Sequence, residues 1–337
     1  MTARESQINA FLAAHGWARA QRTWLSGDAS FRRYARLTDR RRRAIVMDAP
    51  PPHEDVRPFT AVARSLAGFG YSAPKVLATD AEAGLVLLED LGDDLYSRVL
   101  AAGGDEPQLY SAAVDLLADL HRQPPPGSLP DYDEDLLLEE ANLFPDWYLP
   151  ALCGAPTPSP VAAEFAALWR RALAPAREGR DVVVLRDYHA DNLMWLPRRR
   201  GLRRVGLLDF QDAVAGPPAY DLVSLLEDAR RSVPADLVAA MIERYLEAAA
   251  LDAPSFRAAY ASLGAQRNTK IIGIFTRLCV RDGKAGYLDL IPRVWQLLER
   301  DLEYPSLAPL RAWFDHQVPA AARHSRLRLS TAPARAS

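Results

Sequence analysis

Cys153 and Cys279 are the only two cysteines in this chain. Two thiols cannot build a disulfide framework, and neither has a partner at metal-binding or redox spacing. Both fall in apolar helical pattern, where a buried free thiol is expected. The six histidines are scattered, with no pair at metal-ligand spacing, which argues against a zinc site. An excess of one charge is also lacking. Lys+Arg total 41 and Asp+Glu 43, for a net charge of −2, so no global field calls for nucleic acid or an anionic membrane. Local basic clusters at Arg40–Arg43, at Arg198–Arg204 and after Arg323 lie where turns or a terminus are expected, and they read as solvated tips. No apolar run is long enough to span a bilayer, and MTARESQINAFLAAHGW lacks the apolar core of a secretory signal. A cytoplasmic protein is expected, with no membrane, nucleic-acid or obligate protein partner.

The rest is ordinary globular material. The 337 residues are 49% apolar and 25% charged, enough for one large or two modest domains. An opening helix is predicted with Ile8, Phe11 and Leu12 on one face. Strands follow at 23–25, 31–37 and 44–47, then a helix over 56–69 with Phe59, Val62, Ala63 and Leu66 aligned, then strands at 75–78 and 85–88. After Gly92 the pattern turns helical, with stripes at Leu109, Ala113, Leu116, Leu117, Leu120 and at Phe165, Leu168, Trp169, Leu173. The composition change at Leu91–Asp94 predicts an α+β protein with a β-rich lobe over 1–91, a helical lobe over 92–320 and a disordered tail over 321–337. A cleft between lobes is a usual place for small ligands.

One stretch breaks the helical pattern: VVVLRDYHADNLMWLPRRRGLRRVGLLDFQDA. It reads as a short strand at 182–185, a loop carrying Asp187 and Asn192, and a hairpin of strands 193–196 and 205–208 that ends at Asp209. Antiparallel pairing brings the start of one hairpin strand beside the end of the other, so Asn192 is expected close to Asp209. Two carboxylates and an amide oxygen converging there would suit Mg²⁺, with one acid left to face a hydroxyl nucleophile. Singly, each of the three could be a cap or turn residue; together and at this spacing they point to chemistry. Asp221, in GPPAYDLVSLL, reads as structural support or as the cap of the helix beginning there. SGDASFRRY, Ser26 to Tyr34, is an open case at this level: an ordinary hairpin turn, or the lid of a nucleotide site.

RDYHADN with LLDFQDA resembles the paired catalytic-loop and metal-loop motifs of the aminoglycoside phosphotransferase and choline kinase-like superfamily, relatives of the protein kinases. That superfamily usually has His-Gly-Asp where this chain has Leu185-Arg186-Asp187, and Asp-Phe-Gly where this chain has Asp209-Phe210-Gln211. The resemblance runs from GDASFRRY to about Leu310. The fuller set, with IVMDAPP, LLEDLG, LFPDWYL and RNTKIIGIFTRL, is most similar to the bacterial kinases that phosphorylate N-acetylmuramate and N-acetylglucosamine at C1 in cell-wall sugar recycling. It implies a bilobal, protein-kinase-like fold using ATP and Mg²⁺. It further implies Asp187 as the base, Asn192 and Asp209 as metal ligands, and Glu89 to Leu91 as the adenine hinge. The Ser26–Tyr34 turn would then be the phosphate lid, through Gly27, Asp28, Ala29, Ser30 and Arg33.

One departure matters. Kinases of this fold carry a lysine on the third strand, and this chain has lysine only at 75, 270 and 284. Met47 or a neighbour stands at that strand position, with Arg32, Arg33 and Arg43 as the nearby cations. For the sugar, the resemblance directs attention to the helical lobe. Arg267, Lys270, Arg277, Arg281 and Lys284 are spaced as one helical stripe that could meet a carboxylate, or pair with acids such as Glu227 and Asp228. Trp147 and Tyr148 could stack on a sugar ring, or be core. Two rivals stand: an aminoglycoside or amino-alcohol phosphotransferase using Glu139 and Glu140, and a nucleotide-binding regulatory module without turnover, suggested by the missing lysine.

Overall fold

The structure, a computed structural model, describes residues 2–25 and 31–329. The turn residues Gly27, Asp28, Ala29 and Ser30 lie outside the described residues. In chain order the first elements are α1 (Ala3–Ala14), β1 (Gln21–Trp24), β2 (Arg33–Asp39), β3 (Arg42–Asp48), α2 (Val56–Gly68), β4 (Val76–Asp80) and β5 (Leu85–Leu88). Then come α3 (Tyr96–Ala101), α4 (Glu106–Leu120), α5 (Glu134–Leu143), a π-helical turn at Phe144–Tyr148, α6 (Leu149–Cys153) and α7 (Ser159–Ala172). Four short strands follow, β6 (Val182–Val184), β7 (Leu193–Trp195), β8 (Val205–Leu207) and β9 (Val214–Gly216). The chain continues with α8 (Ala219–Leu226), α9 (Ala235–Ala249), α10 (Ala253–Asp282), α11 (Ile291–Asp301), α12 (Ala308–Gln317) and α13 (Ala320–Arg323).

Two compact units divide these elements: Met1–Leu116 with Leu185–Ala213, and Leu117–Val184 with Val214–Ser337. The division differs from a boundary at residue 91. The loops carrying Asp187, Asn192 and Asp209 pack with the N-terminal sheet, because a hairpin reached late in the chain returns to it.

In the first unit, five antiparallel strands are ordered β1-β2-β3-β5-β4. Strand alternation separates the two faces of the sheet. Ala35 and Leu37 of β2, Ala44 and Val46 of β3, and Leu85 and Leu87 of β5 meet Ile8, Phe11 and Leu12 of α1 and Trp17 in one apolar core. Thr2 caps α1 by accepting from the Glu5 N–H at 3.2 Å. β5 is buried along its whole length, as a strand flanked on both edges should be. Asp55 caps α2 by accepting from Arg57 N–H at 2.9 Å, and Phe59 one turn later stacks on Phe210 at 5.0 Å.

The β7–β8 hairpin pairs Leu193 with Leu207 and Trp195 with Val205. It is tied to the N-terminal segment of the unit by backbone bonds from Leu207 N–H to Ser72 O (3.0 Å) and from Trp195 N–H to Asp94 O (2.7 Å). Ser72 Oγ adds a bond to the carbonyl of Arg203 at 2.7 Å.

In the second unit, β6 pairs antiparallel with β9, and Tyr132 N–H donates to Ala215 O at 2.7 Å. The 30-residue α10 is capped by Asp252 and closed by Gly283 at φ +70°, a left-handed turn that releases the chain. It packs on α5, the π-turn, α8 and α11. Gly273 allows the closest of these approaches, since a Cβ there would lie 2.4 Å from the Leu143 carbonyl carbon. Phe144, Tyr148, Phe165, Trp295 and Phe314 form an aromatic core with centroids 4.8 to 6.1 Å apart.

One expectation is corrected here. Cys279 is buried, but Cys153, the last residue of the short α6, is exposed, because its helix ends at the surface. The chain from 320 onward begins with α13 and makes side-chain contacts. Arg323 is buried, donating to the carbonyls of Phe314 (2.7 Å) and Val318 (2.8 Å) and to Asp315 (2.8 Å), with its guanidinium over Trp295. Residues 330–337 lie outside the described residues.

Candidate active site

The loop after β6 turns sharply. Arg186 adopts a left-handed backbone (φ +68°), which aims the next residue, Asp187, out to the surface. Backbone bonds then wind the loop: Asp187 N–H to Leu185 O at 2.8 Å, His189 N–H to Asp187 O at 3.1 Å, and Asn192 N–H to His189 O at 2.9 Å. Tyr188, fully buried, donates to the carbonyl of Ala113 at 2.8 Å and anchors the loop from below. The Asn192 amide nitrogen donates to the Asp187 carbonyl at 3.0 Å and lies 3.4 Å from His189 Nε2. With Nδ2 so engaged, Oδ1 is the end of the side chain left for an outside ligand.

The hairpin does what its pattern predicts. Leu208 N–H donates to Asn192 O at 3.0 Å, so Asp209 begins one residue beyond the asparagine's own pairing. Asp209 is itself left-handed (φ +56°), a conformation that Asp tolerates better than most residues. Two positive-φ residues in one pair of loops are the kind of local strain that gathers where side chains must be aimed. Burial pushes the Asp209 carboxyl above the usual carboxylate range, and the nearby Asp187 carboxylate adds to the rise; Arg32 and a hydrogen bond from Gln211 oppose it. Two carboxylates close enough to repel, beside a free amide oxygen, are a set of hard oxygen donors that fits Mg²⁺. A cation there would reverse the repulsion.

On the sheet, Glu89 directly follows β5, with its N–H on Lys75 O at 2.9 Å and its carboxylate taken by Arg199 at 2.7 Å. Asp90 and Asp93 are both bound by Arg36, whose guanidinium also reaches the Gly92 carbonyl at 2.9 Å. Leu91 packs over β8, its Cδ1 lying 3.2 Å from where a Cβ of Gly206 would stand.

Arg33 lies on the opposite face of the sheet from Tyr34 and Met47. It shares the α1 face with Ala35 and Leu37, pairs with the fully buried Asp48 and lies over Trp24 at 4.5 Å. Arg4 of α1 meets the same carboxylate at 2.5 Å. Asp48 needs this double neutralisation, since a lone buried charge is costly. Alternation along β2 could have revealed the assignment, because Arg33 falls in phase with the apolar residues. Phe59, stacked on Phe210, and His189, beside the Asn192 amide, were not read as site residues from the sequence.

The candidates in the second unit are scattered. Tyr148 is 0% exposed inside the aromatic core, so it has no face to offer a sugar ring; Trp147 beside it is half-buried. Arg267 is buried and donates to the Glu227 carbonyl, and Arg281, exposed, makes a two-pronged pair with its neighbour Asp282 at 2.7 and 2.9 Å. Lys270 pairs with Glu140 at 2.7 Å, rather than with Glu227 or Asp228. Lys284 lies past the end of α10. Arg277 is half-buried, and its Nε has no hydrogen-bond partner among the described residues. Asp221 is fully buried in the first turn of α8, where Pro218 rather than Asp221 holds the capping position.

A five-stranded sheet, a helical unit and a catalytic-type loop followed by a metal-type loop define an α+β phosphotransferase fold. The model of the phosphotransferase enzyme family matches residues 23–260, and the chain belongs to that family. It is 44% identical to an N-acetylmuramate/N-acetylglucosamine kinase of Caulobacter vibrioides, over 95% of this chain and 98% of that one. Among solved structures it is similar to a choline/ethanolamine kinase family protein of Mesorhizobium loti, with a TM-score of 0.62, 16% identity, and 92% and 98% of the two chains covered. It also resembles the ADP-bound aminoglycoside phosphotransferase APH(2'')-Ib, with a TM-score of 0.57, 16% identity, and 89% and 97% covered.

Proposed function

We propose that this chain is an ATP-dependent kinase that phosphorylates the anomeric hydroxyl of N-acetylmuramate and N-acetylglucosamine, a reaction of cell-wall sugar recycling. The observation that carries the reading is near-full-length identity of 44% to a kinase of that name, joined to a loop pair that holds Asp187, Asn192 and Asp209 within one unit. In this reading Asp187 accepts a hydrogen bond from the sugar's C1 hydroxyl and takes its proton as the oxygen attacks the γ-phosphorus, while the bond from that phosphorus to the bridging oxygen breaks and ADP leaves. A hemiacetal hydroxyl is a better acid than an ordinary alcohol, so a weak base suffices. Asn192 Oδ1 and Asp209 would hold Mg²⁺, which would supply charge neutralisation to the phosphates when bound. The work left to the protein is positioning. ADP bound to a neighbour of the same fold supports a nucleotide site here, with adenine against the backbone of Glu89 to Leu91.

Of the two aromatic candidates for the sugar ring, Trp147 is half-buried and Tyr148 fully enclosed, so Trp147 is the one retained. An acidic wall for a polycationic aminoglycoside is weakened, since Glu140 is consumed by Lys270 and by Tyr132 at 2.5 Å. Measuring ADP release with N-acetylmuramate, N-acetylglucosamine and kanamycin tests the reading. Release with either amino sugar is expected. Release with kanamycin alone would replace the substrate, and release with none would leave a binding module.

A further inference from the structure

The phosphates of a bound nucleotide need a cation, and the third strand does not offer one. Met47, where a lysine would stand, is fully buried between Tyr34 on β2 and Val86 on β5. Its sheet face carries Tyr34, Arg36 and Arg43 as well. Arg36 is spent on Asp90 and Asp93. Arg43 pairs across to Thr38, is exposed, and lies four residues from Met47, roughly 13 Å along the strand. Arg33 points to the opposite face and is held by Asp48.

Arg32 remains. It directly precedes β2, in phase with Tyr34, and its Nε lies 3.4 Å from a carboxylate oxygen of Glu54. Both side chains of this pair are largely buried, 13% and 19% exposed, so the pair is far better shielded than an ordinary surface contact. Glu54 immediately precedes the cap of α2, and Phe59 of that helix stacks on Phe210, the residue after Asp209. Sheet and helix start therefore meet at this ion pair, and the same helix touches the metal-type loop one turn further on. The charge of Arg32 is felt at both Asp209 and Tyr34, where it opposes the effect of burial.

We propose that Arg32, oriented by Glu54, is the phosphate-neutralising cation of this enzyme, an arginine on the second strand doing the task of the missing third-strand lysine. In protein kinases that lysine is held by a glutamate of the following helix; here an arginine and a glutamate just ahead of the helix make the corresponding pair. The planar guanidinium can give two parallel N–H bonds to phosphate oxygens while Nε stays on Glu54, a division of donors that an ammonium cannot make in fixed geometry. The proposal rests on the nucleotide-binding part of the function proposed above.

Calorimetric titration of the full chain with ADP and, separately, with adenosine, both without Mg²⁺, tests it. Arg32→Gln is expected to weaken ADP binding at least tenfold while leaving adenosine within twofold of wild type. Wild-type ADP affinity in that variant, or an equal loss for adenosine, would overturn the proposal. Should Arg32→Gln fail to fold, Arg32→Lys carries the test: a smaller loss confined to ADP is expected, and unchanged ADP affinity overturns it. Arg33→Gln is expected to lower thermal stability through Asp48; a selective loss of ADP affinity there would move the role to Arg33. If the wild-type chain binds neither ligand, the nucleotide reading itself falls, a different result from a variant that binds adenosine alone.

Discussion

Asp187 and Asp209 are two carboxylates given different surroundings by one pair of loops. Asp187 is exposed at the end of a tight turn, and Asp209 is partly buried with its carboxyl pushed up. Such asymmetry suits one group facing the acceptor and one facing a cation. Asp187→Asn is therefore expected to cut turnover by about 10²–10⁴-fold, the usual worth of a general base, with ADP affinity nearly unchanged by titration; near-normal turnover would remove Asp187 from the reaction. A second carboxylate carries a stability prediction. Burial, with Glu227 beside it, pushes the Asp301 carboxyl well above its ordinary range, against Arg300 and a 2.9 Å hydrogen bond from Asn268. The folded state holds a proton there that the unfolded chain releases near the ordinary carboxylate value of about 4. The contribution is thus greatest below that value and is lost as pH rises toward the folded value. Asp301→Asn keeps the acceptor for Asn268 and removes the titration. Urea unfolding should show a larger relative stabilisation of the variant at pH 8 than at pH 5; an equal difference at both would dismiss the coupling.

At the scale of elements, α10 organises its unit, and Gly273 is its closest approach to a neighbour. An added methyl would gain helix propensity of about 1 kcal/mol, but it would meet the Leu143 backbone at 2.4 to 2.5 Å, where nothing can swing aside. Gly273→Ala should therefore destabilise by about 1–3 kcal/mol, the scale of overpacking, seen as a lower urea midpoint; a raised midpoint would mean that α10 shifts freely. Elements with strong periodicity were legible in the sequence. The residues Ile8, Phe11 and Leu12, the strands of the meander, Phe59 to Leu66 and the 193–208 hairpin all appear as their spacing requires. Asn192 met Asp209 for the same reason, since short antiparallel pairing is a local matter. β9, Val-Ala-Gly, has no alternation to read and exists because β6 and Tyr132 supply its partners from far along the chain. The π-turn at Phe144–Tyr148 follows from aromatic packing that no single stretch encodes. The face on which Arg33 lies was legible too, in its phase with Ala35 and Leu37.

For the molecule as a whole, no helix among the described residues is long and apolar enough to cross a membrane. The C-terminal region belongs to the packed structure. Arg323 donates to the carbonyls of Phe314 and Val318 and to the carboxylates of Asp315 and Glu299, over Trp295, and Leu327 is buried. Ending the chain after Gln317 should lower stability by roughly 2–4 kcal/mol, from lost charge-assisted hydrogen bonds and apolar cover. Thermal unfolding checks this, and an unchanged midpoint would reduce α13 to an ornament. The first unit is discontinuous in sequence, being completed by Leu185–Ala213. Ser72 O, Ala113 O and Phe59 must wait for Leu207, Tyr188 and Phe210 to be made. Residues 117–184, 68 of them, separate the two parts, which at synthesis rates of about 5–20 residues per second is about 3–14 s. During that interval the nascent sheet leaves the ribosome with one flank bare, a window in which a chaperone or a protease could meet it before the catalytic machinery exists.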